Sequence, residues 1–174
     1  MGAAVVQGQL GTGASVSWAN AETGIKWNLS DSATDTTTPV GIPTATGTVY
    51  SWLKNLVLAV TTIGTTTISN RRISMSGAAT TGLFLFWKAV AVASYAQAAT
   101  GNRPASSGSN GATPATYTAM TTSTAVYDAA SVSSGSTGPN GGMAVCLFGV
   151  DFTYAGGPGT AIAVPSIILT YDEA

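Results

Sequence analysis

The chain has 174 residues, six basic and seven acidic side chains, a formal net charge of −1 and no histidine. That length suits one domain with a substantial core, and so few scattered cations give no basic stripe for a nucleic-acid backbone. The missing imidazole removes His-based triads, His-containing zinc sites and the usual near-neutral proton shuttle. Only 7% of residues are charged and 45% are apolar, a balance that suits a folded chain covered by neighbours, or exposed in a robust extracellular setting, better than a free cytoplasmic enzyme.

At the N-terminus, "MGAAVVQGQLG" has neither the basic flank nor the apolar run of a signal peptide, and residues 1–13 are expected to form an arm. Gly8, Gly11 and Gly13 read as turn glycines, since no lysine follows them as in a phosphate loop. Beyond the arm, residues 14–174 are expected to fold as one β-sandwich domain. Its strands are short, branched or aromatic, and punctuated by glycine or proline: "ASVSW", "GIKWNL", "GTVYSW", "NLVLAVTT", "TTTISNRRISM", "GLFLFWKAVAV", "GMAVCLFGVDFTY" and "TAIAVPSIILTY".

Two of these strands are apolar on both faces. Leu56, Leu58 and Val60 oppose Val57 and Ala59, and Phe84 and Phe86 oppose Leu83, Leu85 and Trp87. The passage "GLFLFWKAVAVASYA" carries Lys88 and is too short for a membrane helix, so no membrane partner is expected. Long loops are expected at residues 28–48, where Pro39 and Pro43 interrupt the pattern, and at 97–142. The architecture is expected to be all-β, of jelly-roll or immunoglobulin-like type.

The chemical motifs are weak. Ser51 and Lys54 have the S-x-x-K spacing of penicillin-recognising enzymes, without the S-D-N and K-T-G motifs those also need. Cys146 in "MAVCLFGV" reads as a buried strand residue, and a lone cysteine allows no internal disulfide. Asp31, Asp35 and Asp128 lack a calcium-loop spacing, and Asp172 and Glu173, adjacent on an extended chain, point apart. Asn28 in "NLS" is formally a glycosylation acceptor. No catalytic residue, cofactor or metal is expected, and the chain is read as not an enzyme.

Arg71 and Arg72 stand side by side in "TTTISNRRISMSG". They read either as charges that discourage edge pairing, or as one half of an intersubunit ion pair with Asp172 and Glu173 in the terminal "YDEA".

The Gly/Ser/Thr/Ala-rich chain, with "YSWLKNLVLAV", "TTTISNRRISMSG" and "GLFLFWKAV" across residues 50–93 and "IILTYDEA" at its end, resembles small β-rich virion structural proteins of tailed bacteriophages. The resemblance implies a particle component located in the virion and assembled in the host cytoplasm. Its partners would be further copies of itself, as a trimer, and the major capsid or other virion proteins. A capsid decoration (cement) protein on the head is the first expectation, and a neck, collar or tail protein the second. A carbohydrate- or receptor-binding module is the rival from another class, with Trp18, Trp27, Trp52 and Trp87 as its aromatic candidates.

Overall fold

The computed structural model describes residues 5–22, 24–32, 35–62, 67–98, 114–132, 138–156 and 161–174. Among them run ten strands: β1 Val5–Thr12, β2 Ser17–Asn20, β3 Thr48–Tyr50, β4 Lys54–Thr62, β5 Ile68–Met75, β6 Leu83–Ala91, β7 Thr118–Ala119, β8 Ala125–Asp128, β9 Gly142–Asp151 and β10 Ile167–Glu173. One turn of 3-10 helix, Val92–Ser94, is the sole helical element of the described residues.

The strands make two antiparallel sheets, so the all-β sandwich expectation holds. The larger sheet has seven strands in the order β2-β1-β4-β9-β6-β7, with β3 also on β9. β9 is its axis. β6 runs along one edge of β9 from Leu83↔Val150 to Ala91↔Gly142, while β3 and β4 share the other edge in succession. The smaller sheet has the order β10-β5-β8.

Strict alternation gives the larger sheet two apolar faces. Leu56, Leu83, Leu85, Trp87, Cys146, Phe148 and Val150 face the smaller sheet and meet Ile73, Met75 and Tyr127 there. Val57, Ala59, Phe86, Met143, Val145 and Leu147 form the outer face, against which Trp18, Trp52, Tyr95 and Tyr117 pack. The chain after β6 folds back over that face, where Asn55 of β4 donates to the Ala96 carbonyl (3.1 Å) and the Tyr95 hydroxyl donates to the Gly13 carbonyl (2.9 Å). The doubly apolar strands of the sequence are therefore central and covered.

Several expectations need correction. Residues from Val5 onward are not an arm but strand β1, paired with both β2 and β4, and residues 1–4 lie outside the described set. Gln7, Gly8 and Gln9 hide a strand whose place is set by backbone bonds to β4 more than by its own side chains. Accordingly Gly8 and Gly11 are strand residues, and only Gly13 takes a turn conformation at φ +86°. The stretch 97–142 contains β7 and β8, each too short to show a period, although residues 99–113 and 133–137 of it lie outside the described set. "GIKWNL" forms no strand, only an isolated bridge between Asn28 and Pro39, and "TAIAVPSIILTY" becomes strand at Ile167, after Pro165, which has no N–H for a ladder.

Candidate functional site

Arg71 and Arg72 occupy β5 beside an irregularity. Thr170 opposes Arg72 and Asp172 opposes Ser69, so two β5 residues, Asn70 and Arg71, face the single Tyr171 of β10. This is a β-bulge, and Asn70 adopts the left-handed conformation (φ 48°) that asparagine tolerates better than most residues. The two arginines leave the bulge toward opposite faces.

Arg71 turns inward and is fully buried. Its guanidinium is paired with Asp128 of β8, and Nη1 donates to the carbonyls of Asn140 (2.9 Å) and Leu58 (3.3 Å). Leu58 explains why the cation is there. The β4–β9 register ends at Leu56↔Ala144, so beyond that point β4 has lost β9 as a hydrogen-bonding neighbour. The smaller sheet supplies replacements: the Leu58 N–H donates to the Tyr127 hydroxyl (3.1 Å) and the Leu58 carbonyl accepts from Arg71. Burial pushes the Tyr127 phenol up to about 12.

Asp128 also accepts from the Gly142 N–H and, through Oδ1, from Ala130 N–H (2.9 Å). A Cβ on Gly141, whose φ is +74°, would collide with Arg71 Nη2 and Asp128 Oδ2, so the Gly141–Gly142 pair is what lets the chain pass this close to the ions.

Arg72 turns outward and forms a two-pronged pair with Asp172, Nη1 to Oδ1 at 2.6 Å and Nη2 to Oδ2 at 2.7 Å, while Asn70 Nδ2 adds a bond to Oδ2 at 2.8 Å. Those donors hold the Asp172 carboxyl down to about 2, and the pairing raises the Arg72 guanidinium above its ordinary value. The contact expected between subunits is thus made inside one chain for Arg72 and Asp172, and Arg71 is sealed away from any partner. Glu173, in register with Ile68, is exposed at the same end of β10.

Lys54 is a third solution to the same problem. It opens β4 on the inner face and is only 2% exposed. Its Nζ donates to Asn28 Oδ1 (2.7 Å) and to the carbonyls of Ser30 (3.1 Å) and Ser32 (3.0 Å), so the loop after Asn28 wraps an ammonium. Desolvation lowers Lys54 to about 8 against the opposing pull of Asp31 and Asp35. Asp35 is held well below the usual carboxylate range by donors from Thr37, Ser30 and Thr38. Asp31 accepts from Gly13 N–H (2.7 Å) and Gln97 Nε2 (2.9 Å), which ties this loop to β1 and to the outer-face connection.

The remaining motifs have structural uses. The Ser51 hydroxyl donates to the Trp52 carbonyl (2.9 Å) and accepts from Phe148 N–H (3.1 Å), so it does not address Lys54. The buried Cys146 thiol is pushed up by desolvation, and Asn28, 1% exposed, is closed to a glycosyl donor in the folded chain. Among the described residues no cluster of three or more metal-ligating side chains occurs. Trp87 is buried, Trp18, Trp27 and Trp52 are half-buried, and Trp27 already packs on Phe148 at 5.9 Å.

Sequence reasoning misses the roles of Asp128, Tyr127 and Asn28, and it gives no sign of one concavity. A cleft of about 910 Å³ opens between the sheets, its floor made by Val6, Leu56, Leu58 and Phe148 and its roof by Ile167 and Leu169. Comparison of the chain with family models, with curated proteins and with solved structures finds no match in any of the three.

Proposed function

We propose that the chain is a structural component of a phage virion, a decoration protein that stabilises the capsid shell through contacts between subunits. The observation that carries this reading is the fate of its charges. Asp31, Asp35, Lys54, Arg71, Arg72, Asp128, Asp151 and Asp172 all have hydrogen-bonding partners in the same chain. With so few charges in total, what is left outside is mostly Ser, Thr, Ala and Gly with scattered apolar groups. Such a surface suits close packing against neighbours rather than electrostatic steering.

The outer face of the smaller sheet is the contact surface in this proposal. Val126 and Thr170 oppose Arg72 in register, and Ile168 follows on the same face, so two exposed branched side chains flank one internally neutralised ion pair. A jelly-roll or immunoglobulin-like shell protein would use a sheet face in this way. The half-buried tryptophans give less support to the sugar-binding alternative, which needs exposed rings. Light scattering should give a trimer, and sedimentation with shells prepared without the protein should give binding and a raised disruption temperature. Val126→Glu with Ile168→Glu should abolish both while the monomer keeps its fold. A monomer that ignores shells would overturn the decoration assignment.

A further inference from the structure

The cleft between the sheets is lined mainly by aliphatic side chains, with Trp27, Phe148, Tyr171 and Ser166 among them, and its charged lining residues, Glu22 and Lys26, are exposed. Its volume of about 910 Å³ falls in the range of small-molecule sites, roughly 300–1,000 Å³. Gly8 marks the floor. A Cβ built there would come into ordinary van der Waals contact with Leu169 Cδ1 at 3.9 Å and Glu22 Cγ at 4.0 Å, so any side chain longer than alanine would have to extend into the cleft. Glycine inside a strand weakens it and often marks the close approach of something else.

The lining decides the ligand class. Trp27 is half-buried and packs on Phe148, so it offers only part of an aromatic platform for a sugar, and the lone cation Lys26 is no phosphate cradle. Mainly aliphatic walls with an exposed cation among the lining residues complement an unbranched hydrocarbon with a polar end. We propose that the intersheet cleft binds a single acyl chain, with the ammonium of Lys26, which has no hydrogen bond or ion pair among the described residues, meeting an anionic head. The proposal stands apart from the virion reading and does not depend on it.

The test is calorimetric titration of the full chain with palmitate and with monopalmitin, which carries the same chain on an uncharged head, each below its aggregation concentration. Saturable one-to-one binding of both is expected. Gly8→Leu, which fills the floor, should weaken both by about tenfold or more, and Ile42→Trp, placed in a lining loop outside any strand, should do the same if the first variant fails to fold. Lys26→Gln should weaken palmitate by about threefold and leave monopalmitin unchanged. Absence of saturable binding, or full binding by a folded Gly8→Leu or Ile42→Trp variant, overturns the site. Equal loss of both ligands in Lys26→Gln overturns the placement of the head.

Discussion

Arg71 and Arg72 are chemically identical neighbours in one strand, yet one is fully buried and the other keeps 27% of its side chain in solvent. Arg71 is held by an aspartate and two carbonyls between the sheets, and Arg72 by an aspartate that is itself 46% exposed. The difference teaches that the residue type fixes the partner chemistry while the face of the strand fixes its energetic weight. A buried ion pair that loses one member leaves an uncompensated charge in a low-dielectric interior, whereas an exposed pair exchanges its partner for water.

The comparison breaks most sharply at Asp128. Asp128→Ala should destabilise the fold by about 3–5 kcal/mol in chemical denaturation, since it strands the Arg71 cation and leaves the Gly142 N–H unmet. Gly141→Ala should reproduce part of that loss without touching a charge, because the added methyl collides with the same two ions at a positive φ.

Lys54→Met comes next, at about 1–3 kcal/mol, by orphaning acceptors on Asn28, Ser30 and Ser32; hydrogen exchange should quicken along the loop after Asn28. Its pH dependence has an unusual sign. Lys54 titrates at about 8 in the fold, below the roughly 10.4 of an unfolded lysine. Between those values the unfolded chain binds the proton that the folded chain has released, so the Lys54 contribution rises with pH across that window. Tyr95, Tyr117 and Tyr127, pushed up to about 12, and the raised Cys146 thiol act oppositely, so the slope is to be read as the difference between the wild type and Lys54→Met.

Arg72→Ala and Asp172→Asn should give the smallest loss, and one that shrinks with added salt. The Asp172 contribution is present above the ordinary aspartate pKa and is lost as pH falls through about 2, so Asp172→Asn should flatten the acid limb of the stability profile. Equal losses from Asp128→Ala and Arg72→Ala would contradict the claim that burial sets the energetic weight of each pair.

The regions of the chain differ in how legible they are from sequence. Strands β4 and β6 announce themselves through apolar side chains on both faces, and the structure covers both. β1 is opaque because "VVQGQLGT" offers backbone rather than side chains to its neighbours, and β7, with two residues, has no period to read. The pairing of the arginines with the chain's own acids is half visible. Asp172 is recognisable as a partner of the arginine pair but is expected on another subunit, because sequence order does not reveal that β10 lies along β5. Asp128 stands in a stretch that reads as loop, and only the β5–β8 register brings it to Arg71. Lys54 attracts notice for its spacing from Ser51, whereas its use depends on a loop that begins 26 residues earlier. The adjacent glycines at 141 and 142 are the available signal for a crowded ionic crossing.

The central proposal is that this protein meets its neighbours with a sparsely charged surface because most of its charges are paired within the chain. Its most direct test is the affinity for shells lacking the protein, measured by sedimentation as salt is raised from about 0.05 to 0.5 M, a range over which exposed charge pairs are largely screened. The account predicts an affinity that is unchanged or slightly strengthened. A steep loss of binding with salt would contradict it, because the contact would then depend on ions that the fold has assigned elsewhere.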